Sequence, residues 1–324
     1  MAKKRSRSPP VRIAGYLALV AVLALLSTFG TLYFRSWGFR TLVQRTLRGD
    51  FDALSLPGSD AEVALLSEQP RLVADYYPAP GSDRLVILVH GSDRAGRKHG
   101  LVRLLADRLQ RDGFSVLALD LPGYGDSEGV TLPLADDFGF EDAVVAASRR
   151  ASELGWLRPG RWAYMGHSLG ASVVLRAARQ EPIPSAVVAL GAPFFEKMSE
   201  RNQEAWTAFV GRRFKDMRLE PDPRSLQVMS RYLIELDVAN ELRQGGLPPV
   251  LFIYGERERS LRYADAITSL GGSVHAVHIV PQGTHGYRVT SLVGGVVVYN
   301  EELIDQVVEA SEAWFQRGTT LASK

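Results

Sequence analysis

The chain has 324 residues, of which 46% are hydrophobic and 23% are charged, so it is long enough for one large domain or two small ones with a sizeable core. The formal net charge of +2 gives no reason to expect nucleic-acid binding. The sequence contains no cysteine, which excludes disulfides, thiolate metal sites and cysteine nucleophiles.

The first sixty residues differ in composition from the rest of the chain. Residues 1–12 are basic without an acid, and residues 13–34 are uncharged and apolar. A helix of that length spans about 33 Å, enough to cross the hydrocarbon layer of a membrane. We therefore expect an uncleaved transmembrane signal anchor there, with a cleaved signal peptide as the alternative, and a juxtamembrane linker at 35–60. The basic tail favours a cytoplasmic N-terminus and a chain outside the cytoplasm, although arginines also follow the apolar stretch.

From about residue 61, short apolar runs alternate with longer amphipathic stretches. Apolar runs of this length predict strands buried on both faces of a parallel sheet, at 84–90, 114–120, 161–166, 185–190, 249–254 and 273–280. Amphipathic stretches predict helices at 99–113, 140–156 and 303–316. The alternation predicts an α/β fold with a doubly wound, mostly parallel sheet, preceded by antiparallel strands at 61–67 and 71–78.

The pattern G-x-S-x-G occurs twice, around Ser127 and around Ser168. It presents a nucleophilic serine only where a strand runs into the first glycine and a helix begins directly after the serine. Ser168 has both flanks, because the apolar run 161–166 precedes it and LGASVVLRAARQ follows it with helical spacing. Ser127 has neither, since its strand ends at Asp120 and Pro133 would break a helix after the serine. Ser168 is therefore the candidate nucleophile.

A serine hydroxyl needs a general base at neutral pH, and imidazole is the usual one. His285 lies in a glycine-flanked loop just after the last predicted strand, at the sheet edge where chemistry collects in such folds. We predict His285 as the base. The other histidines lie upstream of the serine, in the elbow itself or within the last strand: His90, His99, His167, His275 and His278.

The third group should be a carboxylate that holds the imidazole in the required tautomer. Thirteen acidic residues lie between Ser168 and His285, so chain order alone does not choose one. Glu256 and Glu258 directly follow a buried strand that ends at Gly255, at the same edge of the sheet. Both are candidates.

From about residue 80 to 320 the chain resembles the α/β-hydrolase fold superfamily. The resemblance is carried by VHGS (89–92), DLPGYGDS (120–127), GHSLG (166–170), YGERE (254–258) and GTHG (283–286). In that superfamily the acid commonly stands three residues after a glycine, which here is Glu258 instead of the usual aspartate. The resemblance thus implies a triad of Ser168, His285 and Glu258, with Glu256 or an acid from elsewhere in the chain as the alternative. It also assigns Ser127 to a structural loop.

The resemblance also implies an oxyanion hole made of two backbone N–H groups. One belongs to the residue after the nucleophile and the other to the loop after the third strand. By position these residues are Leu169 and Ser92, with Gly91 as the alternative to Ser92. Ser92 and Asp93 also suit the cap of the next helix, and for a backbone donor the two roles are compatible.

Between about 192 and 247 the strand pattern stops, and helices interrupted at Pro221 and Pro223 are predicted. Members of the superfamily insert a lid at this point. Its large apolar residues either line an acyl-binding pocket or attach the lid to the sheet: Phe194, Phe195, Trp206, Phe209, Phe214, Met217 and Met229. Its cations either meet lipid headgroups or form a solvated face: Arg212, Arg213, Lys215 and Arg218.

These features predict a membrane-anchored serine hydrolase that cleaves small-molecule or lipid esters through an acyl-enzyme. Residues 61–324 form its predicted hydrolase domain. A peptidase, thioesterase or acyltransferase on the same triad is one alternative, and a catalytically inactive binding module is another. No metal-ligand spacing and no complete G-x-G-x-x-G motif occurs in the sequence, so we expect no metal and no cofactor. The expected partners are the ester substrate and the membrane.

Overall fold

The computed structural model describes residues 24–25, 27–28, 30, 62–68, 71–291 and 297–322. The chain divides into two compact units, one of residues 56–288 with 301–324 and the other of residues 1–55 with 289–300. The larger unit carries the central sheet and all five candidate site residues.

Eight strands formed by the described residues make up one sheet in the larger unit. They are β1 (Glu62–Glu68), β2 (Arg71–Tyr77), β3 (Leu85–Val89), β4 (Ser115–Leu119), β5 (Trp162–His167), β6 (Ala186–Leu190), β7 (Val250–Gly255) and β8 (Ala276–Val280). Their order is β1-β2-β4-β3-β5-β6-β7-β8. Strands β3 to β8 run parallel, and β1 and β2 extend the β4 edge antiparallel. The predicted mostly parallel sheet with two leading antiparallel strands is confirmed.

The five strands β3 to β7 are buried along their whole length. Their sequences, such as LVILV and AVVAL, are continuous apolar runs instead of alternating ones. Such runs suit strands that are covered on both faces, and β-branched valine and isoleucine pack well on the pleated surface. The edge strand β8 is more exposed, with the pattern AVHIV. The core of the molecule therefore lies around the centre of the sheet.

Nine helices are formed by the described residues of the larger unit. They are α1 (Gly100–Arg111), α2 (Glu141–Glu153), α3 (Leu169–Ala177), α4 (Phe195–Arg201), α5 (Gln203–Asp216), α6 (Pro223–Glu235), α7 (Val238–Gln244), α8 (Ala264–Gly271) and α9 (Glu301–Ala322). Short 3₁₀ helices lie at Gly96–Lys98, Arg259–Tyr263 and Gly272–Val274. The helices predicted at 99–113, 140–156 and 303–316 correspond to α1, α2 and α9.

The segment between β6 and β7 is helical, as the sequence predicts, and consists of α4 to α7. The predicted interruption falls between α5 and α6. Pro223 begins α6 instead of breaking it, because the first turn of a helix does not need its N–H. Asp222 caps that turn by accepting the N–H of Ser225 at 3.0 Å.

We expected a transmembrane anchor at 13–34, with a basic tail at 1–12 and a linker at 35–60. These segments lie outside the described residues, with the exception of residues 24, 25, 27, 28 and 30 of the anchor, which are helical. No helix made of described residues has the length and apolar character needed to cross a membrane.

The smaller unit contains a two-stranded sheet. Its strands are β9 (Arg288–Ser291), of which Arg288 belongs to the larger unit, and β10 (Val297–Tyr299).

Candidate active site

Ser168 stands in the turn between β5 and α3, with a φ of 53° and a ψ of −119°. A non-glycine residue with positive φ is strained, and the surrounding packing must hold it there. The turn leaves no room for side chains on either side: a Cβ on Gly166 would lie 2.3 Å from the carbonyl oxygen of Gly170, and one on Gly170 would lie 2.4 Å from that of His90. Both glycines of the motif are therefore required by the geometry of the elbow.

His285 comes to Ser168 from the loop after β8. Its Nε2 lies 2.9 Å from Ser168 Oγ, although the two residues are 117 positions apart in the sequence. The imidazole is 48% exposed, and Ser168 is half-buried, so a substrate has access to both. This distance is within the range for proton transfer from a serine hydroxyl.

Glu258 is the carboxylate that contacts the imidazole. Its Oε1 lies 2.5 Å from His285 Nδ1, and its Oε2 accepts the N–H of Gly255 at 3.2 Å. Because an ionised carboxylate only accepts hydrogen bonds, Nδ1 carries the proton and Nε2 is left to accept from Ser168. Glu256 is exposed and accepts the N–H of Gln282 at 2.7 Å instead.

Gly191, at the end of β6, makes room for the pair of His285 and Glu258. It has a φ of +57°, and a Cβ there would lie 2.7 Å from Glu258 Oε1 and 2.9 Å from His285 Nδ1. The next turn is fixed by Tyr254, whose hydroxyl donates to the carbonyl oxygen of Ala192 at 2.9 Å. Burial raises the pKa of Tyr254, and the charge of Glu258 adds to this effect, so the phenol stays neutral. In the sequence, the only signal of Gly191 is that a glycine directly follows a buried strand.

His167 contacts the backbone of the loop that carries His285. Its Nε2 lies 2.7 Å from the carbonyl oxygen of His285, so this nitrogen carries a proton and donates it to the backbone of the histidine loop. The two imidazole rings lie 4.9 Å apart. From the sequence, His167 is only the variable residue of the elbow, and nothing in its motif points to this contact.

The two backbone N–H groups predicted for the oxyanion hole belong to Leu169 and Ser92, which both line the cavity at Ser168. Leu169 is the first residue of α3, where an N–H has no partner within the helix. Within the described part of the chain, neither N–H donates to another backbone or side-chain atom. The structure therefore leaves both donors free for a substrate oxygen.

Hydrogen bonds within the loop after β3 fix the direction of the Ser92 N–H. The carbonyl oxygen of Gly91 accepts the N–H of Asp93 at 2.8 Å and lies 2.5 Å from His90 Nδ1. The C=O and the N–H of one peptide unit point in opposite directions. Fixing the oxygen of Gly91 therefore turns the N–H of Ser92 away from it. The capping role falls to Asp93, whose Oδ1 accepts the N–H of Ala95 at 2.9 Å.

His90 is a fully buried residue that ties this loop to the loop after β4. Its Nε2 accepts the N–H of Leu121 at 3.0 Å, which leaves the proton on Nδ1 for the bond to Gly91. Burial lowers the pKa of His90, so the ring is held neutral in the tautomer that the two bonds need. His90 is thus not the base, but it orients the predicted oxyanion donor.

Ser127 is built into the loop after β4. Its hydroxyl donates to the carbonyl oxygen of Asp120 at 2.9 Å and accepts the N–H of Val73 at 3.0 Å. Both contacts attach the loop to the sheet, and the residue is buried. The second G-x-S-x-G serine thus has a structural position away from His285.

A cavity of about 700 Å³ opens at Ser168. The predicted apolar residues of the helical segment divide into two groups there. Four line the cavity: Phe194, Phe195, Trp206 and Phe209. The other three are buried in the core: Phe214, Met217 and Met229. Phe194, Phe195 and Trp206 are also buried in the core, so both roles considered from the sequence apply to these three side chains at once.

Arg213 joins the helical segment to the loop after β3. Its Nη1 donates to Ser92 Oγ at 2.5 Å, and its guanidinium lies 4.4 Å from the centre of the Phe209 ring. Among the four cations predicted to meet lipid or solvent, Arg213 is buried, whereas Arg212, Lys215 and Arg218 are exposed. Burial lowers the pKa of Arg213.

Among the residues that the structure describes, no cluster of three or more His, Asp or Glu side chains has an arrangement that could hold a metal ion.

The sequence places this fold and site in a known family. Residues 80–259 match the model of the family described as serine aminopeptidase, S33. The match covers more than half of the chain, and it includes the elbow and Glu258. The chain therefore belongs to this family and, with it, to the α/β-hydrolase superfamily of hydrolases.

The chain is also similar to individual proteins over part of its length. An uncharacterized protein of Mycobacterium tuberculosis is 33% identical over 206 residues, which are 60% of this chain and 64% of that protein. The match thus spans slightly less than two thirds of the relative. The pimeloyl-acyl-carrier-protein methyl ester esterase of Methylococcus capsulatus is 35% identical over 113 residues, 34% of this chain and 38% of that protein.

A solved esterase structure from Pyrococcus furiosus has a TM-score of 0.56 and 18% identity, over 82% of this chain and 93% of that one. At this identity the likeness concerns the fold alone.

Proposed function

We propose that this protein is a serine hydrolase that cleaves carboxylic esters through an acyl-enzyme on Ser168, with His285 as base and Glu258 as the acid of the triad. The observation that carries the proposal is the continuous chain of contacts from Ser168 Oγ to His285 Nε2 at 2.9 Å and from His285 Nδ1 to Glu258 Oε1 at 2.5 Å. The esterase activity named for one relative agrees with it.

In the proposed reaction, Ser168 Oγ attacks the acyl carbonyl carbon while His285 Nε2 takes the hydroxyl proton. The imidazolium that forms is stabilised by the carboxylate of Glu258 on its other nitrogen. The carbonyl oxygen becomes negative as the tetrahedral intermediate forms. The N–H groups of Leu169 and Ser92 donate to it, and each such donor is worth about 2.7–4 kcal/mol in comparable sites.

The intermediate collapses when its bond to the alcohol oxygen breaks and His285 returns its proton to that oxygen. A water molecule then attacks the acyl-enzyme, again giving its proton to His285 Nε2. The acid leaves when the bond to Ser168 Oγ breaks and the proton returns to the serine. No other proton carrier is needed, because one imidazole serves both halves of the reaction.

Aminopeptidase activity, which the family's description names, fits this cavity less well than ester hydrolysis. An aminopeptidase must bind the free ammonium group of a peptide, and a carboxylate is the usual partner for such a cation. The only acidic residue among the described residues that line the cavity is Glu258, which is already bonded to His285. The cavity thus supports an acyl substrate without an ammonium group.

We also propose that α4 and α5 form a lid over the reacting atoms. Residues of both helices, including Met198 and Trp206, line the cavity at Ser168. The contact from Arg213 to Ser92 links the lid directly to the predicted oxyanion loop. A lid of this kind keeps bulk water away from the acyl-enzyme.

Membrane attachment is part of the proposal and rests on the uncharged stretch at 13–34 after a basic tail. Fractionation of cells that express the full-length chain tests it. We expect the protein to stay in the membrane fraction after alkaline carbonate washing, and recovery in the wash would contradict the anchor.

The activity is tested with p-nitrophenyl esters from acetate to palmitate and the purified full-length chain. We expect hydrolysis by the wild type and a loss of at least about 10³-fold for Ser168→Ala. Glu258→Gln should lose about 10²–10⁴-fold, because the amide holds the imidazole in the wrong tautomer.

Glu256→Gln is the matched control, since the Glu256 carboxylate bonds to Gln282 and not to His285. It should retain activity within about twofold of the wild type, as surface changes usually do. Activity that survives in Ser168→Ala would overturn the proposal. A wild type that binds esters but turns none over, and is not labelled by a fluorophosphonate, would instead identify an inactive binding module.

A further inference from the structure

Cationic side chains make up about a third of the residues that line the cavity at Ser168. Among the described residues that line it, seven are lysine or arginine: Lys197, Arg201, Arg212, Arg213, Arg257, Arg259 and Arg262. The only acid is Glu258, whose carboxylate is occupied by His285. The chain as a whole is nearly neutral, with a formal net charge of +2, so the excess is a property of this cavity.

Most of these cations lack a carboxylate partner. Lys197 pairs with Glu200 at 2.9 Å and Arg213 with Asp216 at 3.1 Å. In the part of the chain that the structure describes, the other five arginines form no ion pair. A concave site lined by one sign of charge focuses its field and raises the local concentration of ions of the opposite sign.

Arg213 is the strongest single indication. The residue is only 7% exposed, and its Nε is buried without a hydrogen-bond partner in the described structure. Burial lowers the pKa of this guanidinium, because desolvation disfavours its charged form. A buried polar group without a partner is costly, and the guanidinium lies in the wall of the cavity, where an anion would interact favourably with its charge.

Most of the remaining residues that line the cavity are apolar or aromatic. Phe194 and Tyr263 lie with ring centres 5.0 Å apart, and Trp206 stacks on Phe209 at 5.5 Å. Such a wall suits a hydrocarbon or aromatic part of the substrate. Guanidinium groups are matched in geometry to carboxylate and phosphate, to which they donate two parallel hydrogen bonds. The cavity therefore offers one surface for an apolar group and another for an anion.

We infer that the cavity at Ser168 selects esters that carry an anionic oxygen group, a carboxylate or a phosphate, in addition to the ester that is cleaved. This inference rests on the proposed ester hydrolysis and names its substrate class. The cations form two groups, one on the helices α4 and α5 and the other on the segment 257–262 after β7. The anion is bound by arginines of one or both groups while the ester carbonyl reaches Ser168.

The first experiment compares substrates that differ in charge but not in acyl length. One pair is p-nitrophenyl octanoate and the mono-p-nitrophenyl ester of suberic acid, which places a carboxylate at the end of the acyl chain. The other pair is phenyl octanoate and the octanoyl ester of para-hydroxyphenyl phosphate, which places a phosphate on the leaving group. We expect kcat/KM for the anionic member of at least one pair to exceed that of the neutral member by about tenfold or more, chiefly through KM. The preference should shrink at about 0.5 M salt because the charges are then screened.

The variants Arg257→Gln with Arg259→Gln, and Arg201→Gln with Arg212→Gln, test the two groups of cations. In at least one of these double variants, the ratio of kcat/KM for the anionic ester to that for the neutral ester should fall about tenfold. Arg149→Gln with Arg158→Gln is the matched control, because both arginines are exposed, form no ion pair in the described structure and lie outside the cavity. The ratio should not change in this control.

A binding measurement keeps this inference separate from the proposed activity. Calorimetric titration of Ser168→Ala with the same esters measures affinity without turnover. Tighter binding of the anionic ester supports the inference whether or not the wild type hydrolyses it. Equal binding and equal kcat/KM for the anionic and the neutral ester of both pairs would overturn the inference without affecting the proposed ester hydrolysis. Selective binding of the anionic ester without any hydrolysis would instead overturn the proposed reaction.

Discussion

Ser168, His285 and Glu258 are held by close contacts that leave little freedom. The serine sits at a positive φ between two glycines that a larger residue would disrupt, and the imidazole is bonded on both nitrogens. Glu258 is fixed in turn by the N–H of Gly255. Residues around these three thus determine whether the proposed triad keeps its geometry.

Gly191→Ala tests the space behind the pair of His285 and Glu258. The methyl group would lie 2.7 Å from Glu258 Oε1 and 2.9 Å from His285 Nδ1, at a positive φ that alanine also disfavours. We expect a loss of about 10²-fold or more in kcat for p-nitrophenyl ester hydrolysis, because the imidazole is displaced from Ser168. Gly245→Ala is the control: its φ is +68°, but its Cβ would meet open space. Equal activity of the two variants would contradict a steric role for Gly191.

His167→Leu tests the support of the histidine loop. This change removes the donor to the carbonyl oxygen of His285 and should lower kcat about tenfold, with KM nearly unchanged. His167→Gln, which keeps a donor on its side-chain amide, should recover part of the loss. If both variants lose the same activity, a hydrogen bond to the loop is not what His167 contributes.

His90 predicts a pH dependence of stability. Burial lowers its pKa below the ordinary value of 6.5 in the folded protein, so the unfolded chain binds the proton more readily. The contribution of His90 to the free energy of unfolding is therefore fully present above about pH 6.5. It is lost as the pH drops towards the folded-state pKa, by at most about 1.4 kcal/mol per pH unit for one proton. Urea unfolding from pH 7.5 to 5 should show a steeper loss for the wild type than for His90→Gln, and parallel curves would contradict this origin.

At the scale of elements, the turn after β3 and the loop after β4 are joined by the buried Arg97. This residue bonds to Asp75 at 2.7 Å, to Asp126 at 2.9 Å and also to Asp120, which is fully buried. These contacts hold the loop that contains Ser127 against the sheet. They also place the 3₁₀ helix at Gly96–Lys98, close to the predicted oxyanion loop.

Arg97→Met should therefore cost about 3–5 kcal/mol in the free energy of unfolding, because it leaves buried carboxylates without their partner. Lys98→Met is the adjacent control, since Lys98 is exposed and its pair with Asp126 is a surface ion pair worth at most about 1 kcal/mol. Urea unfolding measures both. A loss below about 1 kcal/mol for Arg97→Met would show that the acids are compensated in another way.

At the scale of the whole molecule, the sheet and the three triad candidates could be predicted because their signals are local. Buried strands appear as continuous apolar runs, and the elbow and the histidine loop are short motifs next to those strands. Glu258 needed the resemblance to a known superfamily, since Glu256 lies on the same short segment. The structure brings Glu258, and not Glu256, to His285.

The supporting contacts could not be predicted because they depend on how distant segments pack. The bond from His167 to the backbone of His285 joins positions 118 apart, and that from Arg213 to Ser92 joins positions 121 apart. No motif marks either partner. The cationic lining of the cavity could not be predicted for the same reason. Arg257 and Arg259 lie in the segment after β7, whereas Arg201 and Arg212 lie on α4 and α5. Only folding brings them into one cavity.

The proposed role of Ser168 as the nucleophile can be tested directly by one measurement. The full-length protein is treated with a fluorophosphonate, digested, and analysed by peptide mass spectrometry to locate the adduct. We expect one adduct on Ser168, absent in Ser168→Ala and retained in Ser127→Ala. Labelling that maps to Ser127 or another residue, or that persists in Ser168→Ala, would contradict it.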